Sequence, residues 1–195
     1  MNHSKFSIAA GATVNSFALT TEGTLVRNNP VYEINGPGAV ANLYGLYLLD
    51  GKTLADNHTV VDHRTPDANS NELYKGVMAG QSRGVFNGKI FVRQDAQKTN
   101  AFQSNRNILL SDAAIVNTKP QLEIWADDVK CSHGCTSGQL DEEALFYLRS
   151  RGIDKFSAQA MLLDAFAGDV LQHIPHESIQ DIFRQEALRK IASLR

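Results

Sequence analysis

Residues 127–153 read DDVKCSHGCTSGQLDEEALFYLRSRGI, and the chain changes character within them. Upstream, most of the 14 glycines and five prolines punctuate short β-branched and aromatic runs, a composition typical of strands and turns. Downstream, apolar residues recur at the spacing of amphipathic helices. The segment therefore predicts the border between a β-rich body and a helical tail.

The upstream runs include Lys5–Ala10 and Val85–Val92, and turn signals such as Asp50-Gly51 and Asn87-Gly88 separate them. This pattern predicts about a dozen short strands at the spacing of all-β folds. It does not choose between a sandwich, a barrel and a β-helix. A strict repeat of fixed length, which would favour a solenoid, is not found, although irregular β-helices lack one too.

Three helices are predicted after Gly138. In the first, Leu140, Ala144, Leu145 and Leu148 share one face, and Gly152 ends the helix. The second runs from about Asp154 to His173 and is stopped by Pro175. The third follows Ser178.

Composition limits the possible partners and locations. The chain has 195 residues, a formal charge of -2 and no Lys/Arg block, so its electrostatics do not favour binding to nucleic acid. It has no apolar run long enough for a transmembrane helix, and MNHSKFSIAA has no apolar core of a signal peptide. Two cysteines are too few for a disulfide framework. We therefore expect a soluble cytoplasmic protein with free thiols.

The strongest candidate site is Cys131-Ser132-His133-Gly134-Cys135, because thiolate and imidazole bind iron, zinc or copper. If the segment is extended, alternation places Cys131, His133 and Cys135 on one side. If the strand ends at Gly134, only the first two converge. The spacing alone favours structural roles, since free cysteines often behave as small buried hydrophobes.

Other polar residues are weaker candidates. His58 and His63 flank a predicted strand in which Asp62 could orient an imidazole, but we expect ordinary surface hydrogen bonding there. His173 and His176 flank the break at Ile174-Pro175, and neither is favoured as a metal ligand. Asp127-Asp128 is read as a turn rather than as a catalytic acid pair.

Several long motifs together resemble the carboxy-terminal core of the SufB/SufD family of iron-sulfur cluster assembly proteins, with its SufD branch nearer. They are VDHRTPDANSNELYKGV (61–77), GVFNGKIFVRQDAQKTNAFQSNRNILLSDAAIVNTKPQ (84–121), the Asp127-to-His133 segment and LFYLRSRGI (145–153). The resemblance spans nearly the whole chain.

This resemblance implies a right-handed parallel β-helix in residues 1–136 and a helical domain in residues 137–195. The β-helix would be truncated at its amino-terminal end, and we expect the chain to be a fragment of a longer protein. Strand edges around Phe6–Ala10 would then be exposed and favour self-association.

It also implies a non-catalytic scaffold subunit that pairs with a SufB-like paralogue, or with itself, through the β-helix. A SufC-like ABC ATPase would dock on the helical domain. The family motif falls on Cys131 and His133, with His133 as first choice to hold a transient iron-sulfur cluster at the subunit interface and no tightly bound cofactor in the isolated chain. Cys135 departs from the family pattern.

Two alternatives remain. One is a β-helix carbohydrate-active enzyme that uses Asp62 or Arg64 in a groove. The other is a small zinc or redox protein built on Cys131, His133 and Cys135.

Overall fold

The computed structural model describes residues 1–194, and within them eleven strands precede three helices. The strands are β1 (Asn2–Ile8), β2 (Thr13–Thr20), β3 (Leu25–Ile34), β4 (Val40–Leu49), β5 (Leu54–His63), β6 (Asn69–Met78), β7 (Arg83–Val92), β8 (Asn100–Leu109), β9 (Ile115–Thr118), β10 (Gln121–Ile124) and β11 (Lys130–Gly138). The helices are α1 (Glu142–Ser150), α2 (Lys155–Leu171) and α3 (Glu177–Ile191).

Successive strands alternate between two parallel sheets. One sheet has the order β1-β3-β5-β7-β10, with β9 also paired to β7, and the other has the order β11-β8-β6-β4-β2. From β1 to β7, each strand thus pairs with the strand two further along the chain, whereas β10 pairs with β7 and β11 with β8, three strands earlier. The result is a parallel β-solenoid of about five turns, which confirms the β-helix that the family resemblance implied.

The length of a turn varies along the solenoid. Val40 pairs with Asn69, Asn69 with Asn100 and Asn100 with Lys130, so consecutive turns on this sheet take 29, 31 and 30 residues. The difference is absorbed in the connections between strands, while the strands stay in register. A search for a fixed repeat therefore finds none, even though the fold is a solenoid.

The main core fills the space between the two sheets. Its largest buried side chains include Tyr32, Tyr47, Leu43, Phe86 and Ile90. Glycine makes room where aromatic rings stack on the next turn: a Cβ at Gly45 would collide with the Tyr74 ring. The alternation of inward and outward residues along each strand produces this arrangement.

The helical tail packs on the outer face of the second sheet. Leu46, Leu48 and Val77 point away from the main core and are buried against Leu163 and Val170 of α2. Central strands of this sheet are consequently apolar on both faces, which explains the run YLL in β4.

Helices α1 and α2 begin where the sequence indicated. The carboxylate of Asp141 accepts hydrogen bonds from the first backbone N–H groups of α1, and Asp154 does the same for α2. Gly152 follows α1 with a φ of 87°, a conformation that favours glycine. The three predicted helices are confirmed.

Two buried lysines tie the tail to the solenoid. Lys75 of β6 donates to the Phe166 carbonyl (3.0 Å) and pairs with Asp169 (2.5 Å), while Lys190 pairs with Asp50 (2.8 Å). Both ammonium groups are largely removed from water. Loss of these contacts would leave a buried positive charge without a partner, which is costly. They fix the position of α2 and α3 on the sheet.

Strand β11 continues to Gly138, two residues past the expected end of the β-helix at residue 136. The division into functional domains at 136/137 stays a prediction. None of the helices within residues 1–194 is both long and apolar enough to cross a membrane.

The packing of Gly45 against Tyr74 gives a stability prediction. We expect Gly45→Ala to destabilise the protein by roughly 1–3 kcal/mol, because the added methyl group overpacks the core. Gly168 lies in α2 with open space where its Cβ would be, so the matched change Gly168→Ala should stabilise by roughly 0.5–1 kcal/mol. Urea unfolding followed by circular dichroism measures both. Equal effects of the two substitutions would contradict the packing argument.

Candidate functional site

The candidate site lies on β11, the last strand of the second sheet. Within residues 1–194, β11 pairs with β8 on one edge, and no strand pairs with its other edge. The backbone N–H and C=O groups on that free edge can bind a strand of another molecule.

The segment is extended throughout, because β11 continues past Gly134 to Gly138. This is the first of the two conformations considered in the sequence analysis. Cys131, His133 and Cys135 pair with Ala101, Gln103 and Asn105 of β8, and all three β8 residues are buried in the space between the sheets. Because paired residues of parallel strands point to the same side, the two cysteines and the histidine share the inner face. Ser132 and Gly134 lie on the outer face.

Exposure differs along this row. Cys131 is half-buried and packs against the main core, whereas His133 and Cys135 are exposed. Burial raises the pKa of the Cys131 thiol, against the lowering effect of a backbone hydrogen bond at Ala101. Burial thus favours the neutral thiol form of Cys131 over the thiolate.

The three donors form a row. Alternate residues of a strand lie roughly 6.6 Å apart. Within residues 1–194, no three His, Cys, Asp or Glu side chains are gathered closely enough to hold a metal ion. Within the described residues, Cys131 and His133 therefore do not complete a metal-ligand set by themselves.

Behind His133 the inner space contains polar residues that the sequence interpretation missed. Glu72 and Gln103 are each 3% exposed, and Gln103 Nε2 donates to Glu72 Oε2 over 2.6 Å. Burial raises the pKa of Glu72 to about 7, against the opposing effects of Thr59 and Gln103. The sequence did contain a signal for Glu72. Ser70, Glu72 and Tyr74 are alternate residues of β6, so all three point inward.

A second polar group supports the far end of β11. Asn107 Nδ2 donates to the Thr136 carbonyl (3.3 Å) and to Asn105 Oδ1 (2.7 Å), and Asn105 Nδ2 donates to the Tyr47 hydroxyl (3.0 Å). These side-chain hydrogen bonds add to the backbone hydrogen bonds between β8 and β11 and continue into the interior. The strand that carries His133 is therefore fixed along its length.

The expectation of surface hydrogen bonding was wrong for His63. This side chain is fully buried, its Nε2 lies 2.8 Å from Ser70 Oγ, and burial lowers its pKa to about 4 against the opposing charge of Asp62. His63 occupies an inward position of β5 and is part of the core. His58 lies on the outer face and pairs with Asp56 (2.8 Å).

Asp62 does not orient either histidine. Its carboxylate accepts hydrogen bonds from Arg64 Nε (2.8 Å) and Arg93 Nε (2.7 Å). Burial acts to raise its pKa, but the bonds from Arg93 and Arg64 lower it overall. An anionic carboxylate held between two guanidinium groups is poorly suited to act as a general acid.

His173 and His176 lie at helix ends. His173 follows α2 and stacks on Tyr44 with ring centroids 4.4 Å apart, and His176 is the residue preceding α3. Tyr44 and His173 border an open groove of about 640 Å³, which reaches Ser132 and His133 of β11.

Comparison with known proteins gives a consistent result. The family described as SUF system FeS cluster assembly, SufBD core domain, matches residues 1–166. The chain is 38% identical to the iron-sulfur cluster assembly protein SufD of Escherichia coli over 97% of its own length and 44% of that protein. It is 46% identical to an iron-sulfur cluster assembly SufBD family protein of Synechocystis over 72% of its length and 31% of the relative.

A chloroplastic protein of Arabidopsis thaliana, ABCI7, is 38% identical over 84% of this chain and 34% of its own length. The chain thus spans less than half the length of these curated relatives.

The buried carboxyl group of Glu72 gives a pH prediction. Its folded-state pKa of about 7 exceeds the ordinary value of 4.5, so its stabilising contribution is complete below pH 4.5 and is lost as the pH rises through 7. We expect Glu72→Gln to gain about 3 kcal/mol relative to wild type between pH 5 and pH 8. Urea unfolding across this range measures it.

The matched control is Glu142→Gln, which changes an exposed residue of the first turn of α1 and should leave the pH dependence unchanged. Parallel stability curves for wild type and Glu72→Gln would contradict the prediction.

Proposed function

The chain belongs to the SufB/SufD family of iron-sulfur cluster assembly proteins, and from this premise we propose that it is a non-catalytic scaffold subunit of the SUF system. In this role it offers His133, with Cys131, as ligands to a nascent cluster at a subunit interface. The cluster is cargo that passes on to other proteins. The chemistry is ligand exchange, without turnover by this chain.

One observation carries the proposal: His133 is exposed on a strand whose second edge is unpaired within the described residues. A donor placed there is accessible to a second molecule. Its backbone is nevertheless fixed by pairing with β8 along nine positions, from Lys130 to Gly138. A fixed backbone with an accessible imidazole suits a ligand that must hold a metal centre and then release it.

The partner proposed for this edge is a SufB-like paralogue. A strand added to the free edge of β11 would extend the sheet through backbone hydrogen bonds and bring the paralogue's own donors close to His133. A second copy of this chain would offer the same backbone chemistry, so a homodimer is the competing assembly. The two free thiols, Cys131 and Cys135, suit the reducing cytoplasm.

The proposed dock for a SufC-like ATPase is the helical domain from residue 137 onward, and α1 is its best-supported part. This helix has no buried residue, and Phe146 and Tyr147 are 74% and 56% exposed. They border an open groove of about 830 Å³ that Leu162 of α2 also lines. An apolar helix face of this kind is typical of a contact surface for another protein.

We expect His133→Ala to abolish cluster maturation in cells, because the cluster loses its imidazole ligand, while the thermal unfolding of the purified variant stays unchanged. The measurement is the activity of an iron-sulfur enzyme in cells that depend on the variant. Cys131→Ser should reduce it less.

The matched control is Ser132→Ala, since Ser132 belongs to the same strand but faces outward. It should leave maturation intact. Normal maturation with His133→Ala would refute the ligand assignment.

The docking proposal has its own test. Phe146→Ser should prevent an ABC-type ATPase from co-purifying with the chain, because it removes the most exposed aromatic ring of α1. Ile182→Ser is a suitable control, because Ile182 is 65% exposed on α3 and lies away from this groove. If both variants retain the ATPase equally well, α1 is not the contact.

A further inference from the structure

The side-chain oxygen of Gln103 is an unsatisfied acceptor in the interior. Gln103 is 3% exposed, and its Oε1 has no hydrogen-bond partner among the described residues. A buried amide oxygen without a partner costs roughly 1–3 kcal/mol. A hydrogen-bond donor close to Gln103 Oε1 would remove this cost.

The orientation of the Gln103 amide is fixed by its surroundings. Its Nε2 donates to Glu72 Oε2 over 2.6 Å, on the preceding turn of the solenoid. The amide also crosses the interior to the opposite sheet, where a Cβ on Gly88 would collide with Nε2. With the nitrogen committed to Glu72, the oxygen is the atom left for another contact.

The next turn places His133 beside it. Glu72, Gln103 and His133 occupy the same register position on β6, β8 and β11. Neighbouring strands lie roughly 4.8 Å apart and paired residues point to the same side, so the imidazole is within reach of the Gln103 amide by side-chain rotation. Cys131 and Cys135 pair with Ala101 and Asn105 instead.

We propose that Gln103 is a positioning residue for His133: its Oε1 accepts the ring N–H of the imidazole and thereby leaves the lone pair of the other ring nitrogen free for iron. This inference rests on the proposed function and adds a second residue to the same site. Glu72 acts one step further away by holding the amide in the orientation that presents its oxygen.

The physical benefit is selection of one tautomer. A neutral imidazole has one N–H, and only the other nitrogen can bind a metal. A fixed acceptor determines which nitrogen carries the proton and also restricts rotation of the ring. At metal sites, loss of such an acceptor typically weakens binding or activity by about 10–100-fold.

The test is nitrogen-15 NMR of the imidazoles in the full chain without metal, at a pH at which His133 is neutral. We expect one dominant tautomer for His133 in wild type, with a slowly exchanging ring proton close to the Gln103 side chain. Gln103→Met removes the acceptor at similar volume and should give a mixture of both tautomers. Gln94→Met, at an exposed position, is the control and should leave the signals unchanged.

Gly88→Ala provides a second variant, because it displaces the Gln103 amide from the opposite sheet without altering the sheet that carries His133. It should shift the tautomer balance in the same direction as Gln103→Met. In cells, Gln103→Met should lower cluster maturation at least tenfold. The wild-type spectrum tests the hydrogen bond even if neither variant folds.

The outcomes separate this inference from the proposed function. A mixed tautomer in wild type, or an unchanged one in folded Gln103→Met, overturns the role of Gln103, and the ligand role of His133 then stands or falls with His133→Ala. A selected tautomer combined with normal maturation by His133→Ala supports the hydrogen bond but overturns the proposed function. The role of Gln103 in preparing His133 for iron is then overturned as well.

Discussion

In-register pairing of parallel strands determines almost everything else in this molecule. Each inward residue stacks on the residue at the same position of the preceding turn, so the interior consists of columns rather than of independent contacts. Ser70, Ala101 and Cys131 form one such column, and Glu72, Gln103 and His133 form the next. What surrounds a residue of β11 is therefore decided on β8 and β6, about 30 and 60 residues earlier in the chain.

This arrangement explains why polar groups persist inside the solenoid. A buried carboxyl group such as that of Glu72 is costly, and replacing the pair that it forms with Gln103 by apolar side chains would be cheaper for stability alone. The two residues occupy the column that ends in His133, and the same column is fully polar over these three turns. Under the proposed function, their position behind the candidate ligand gives a reason for a cost that packing does not explain.

The sequence predicted the helices well and the inner columns poorly, for physical reasons. Helix periodicity and the caps Asp141 and Asp154 are local, so they can be read without knowledge of the fold. The shared side of Cys131 and His133 follows from strand alternation, which is also local. The choice of a β-helix came from the family resemblance, because turns of 29, 31 and 30 residues hide the repeat.

Register is the non-local information that was missing. His63 follows Asp62 and precedes Arg64, a polar sequence that resembles a surface, yet its inward position buries it completely. Similarly, nothing near Gln103 in the sequence indicates that it lies beside both Glu72 and His133.

The second sheet connects the helical tail with the strand that carries the candidate ligand. Strand β6 carries Glu72 on its inner face and Lys75 on its outer face, and Lys75 contacts Phe166 and Asp169 of α2. Strand β6 pairs along its full length with β4 and β8, and β8 pairs in turn with β11. One hydrogen-bonded sheet therefore connects the strand that contacts α2 with the strand that carries His133.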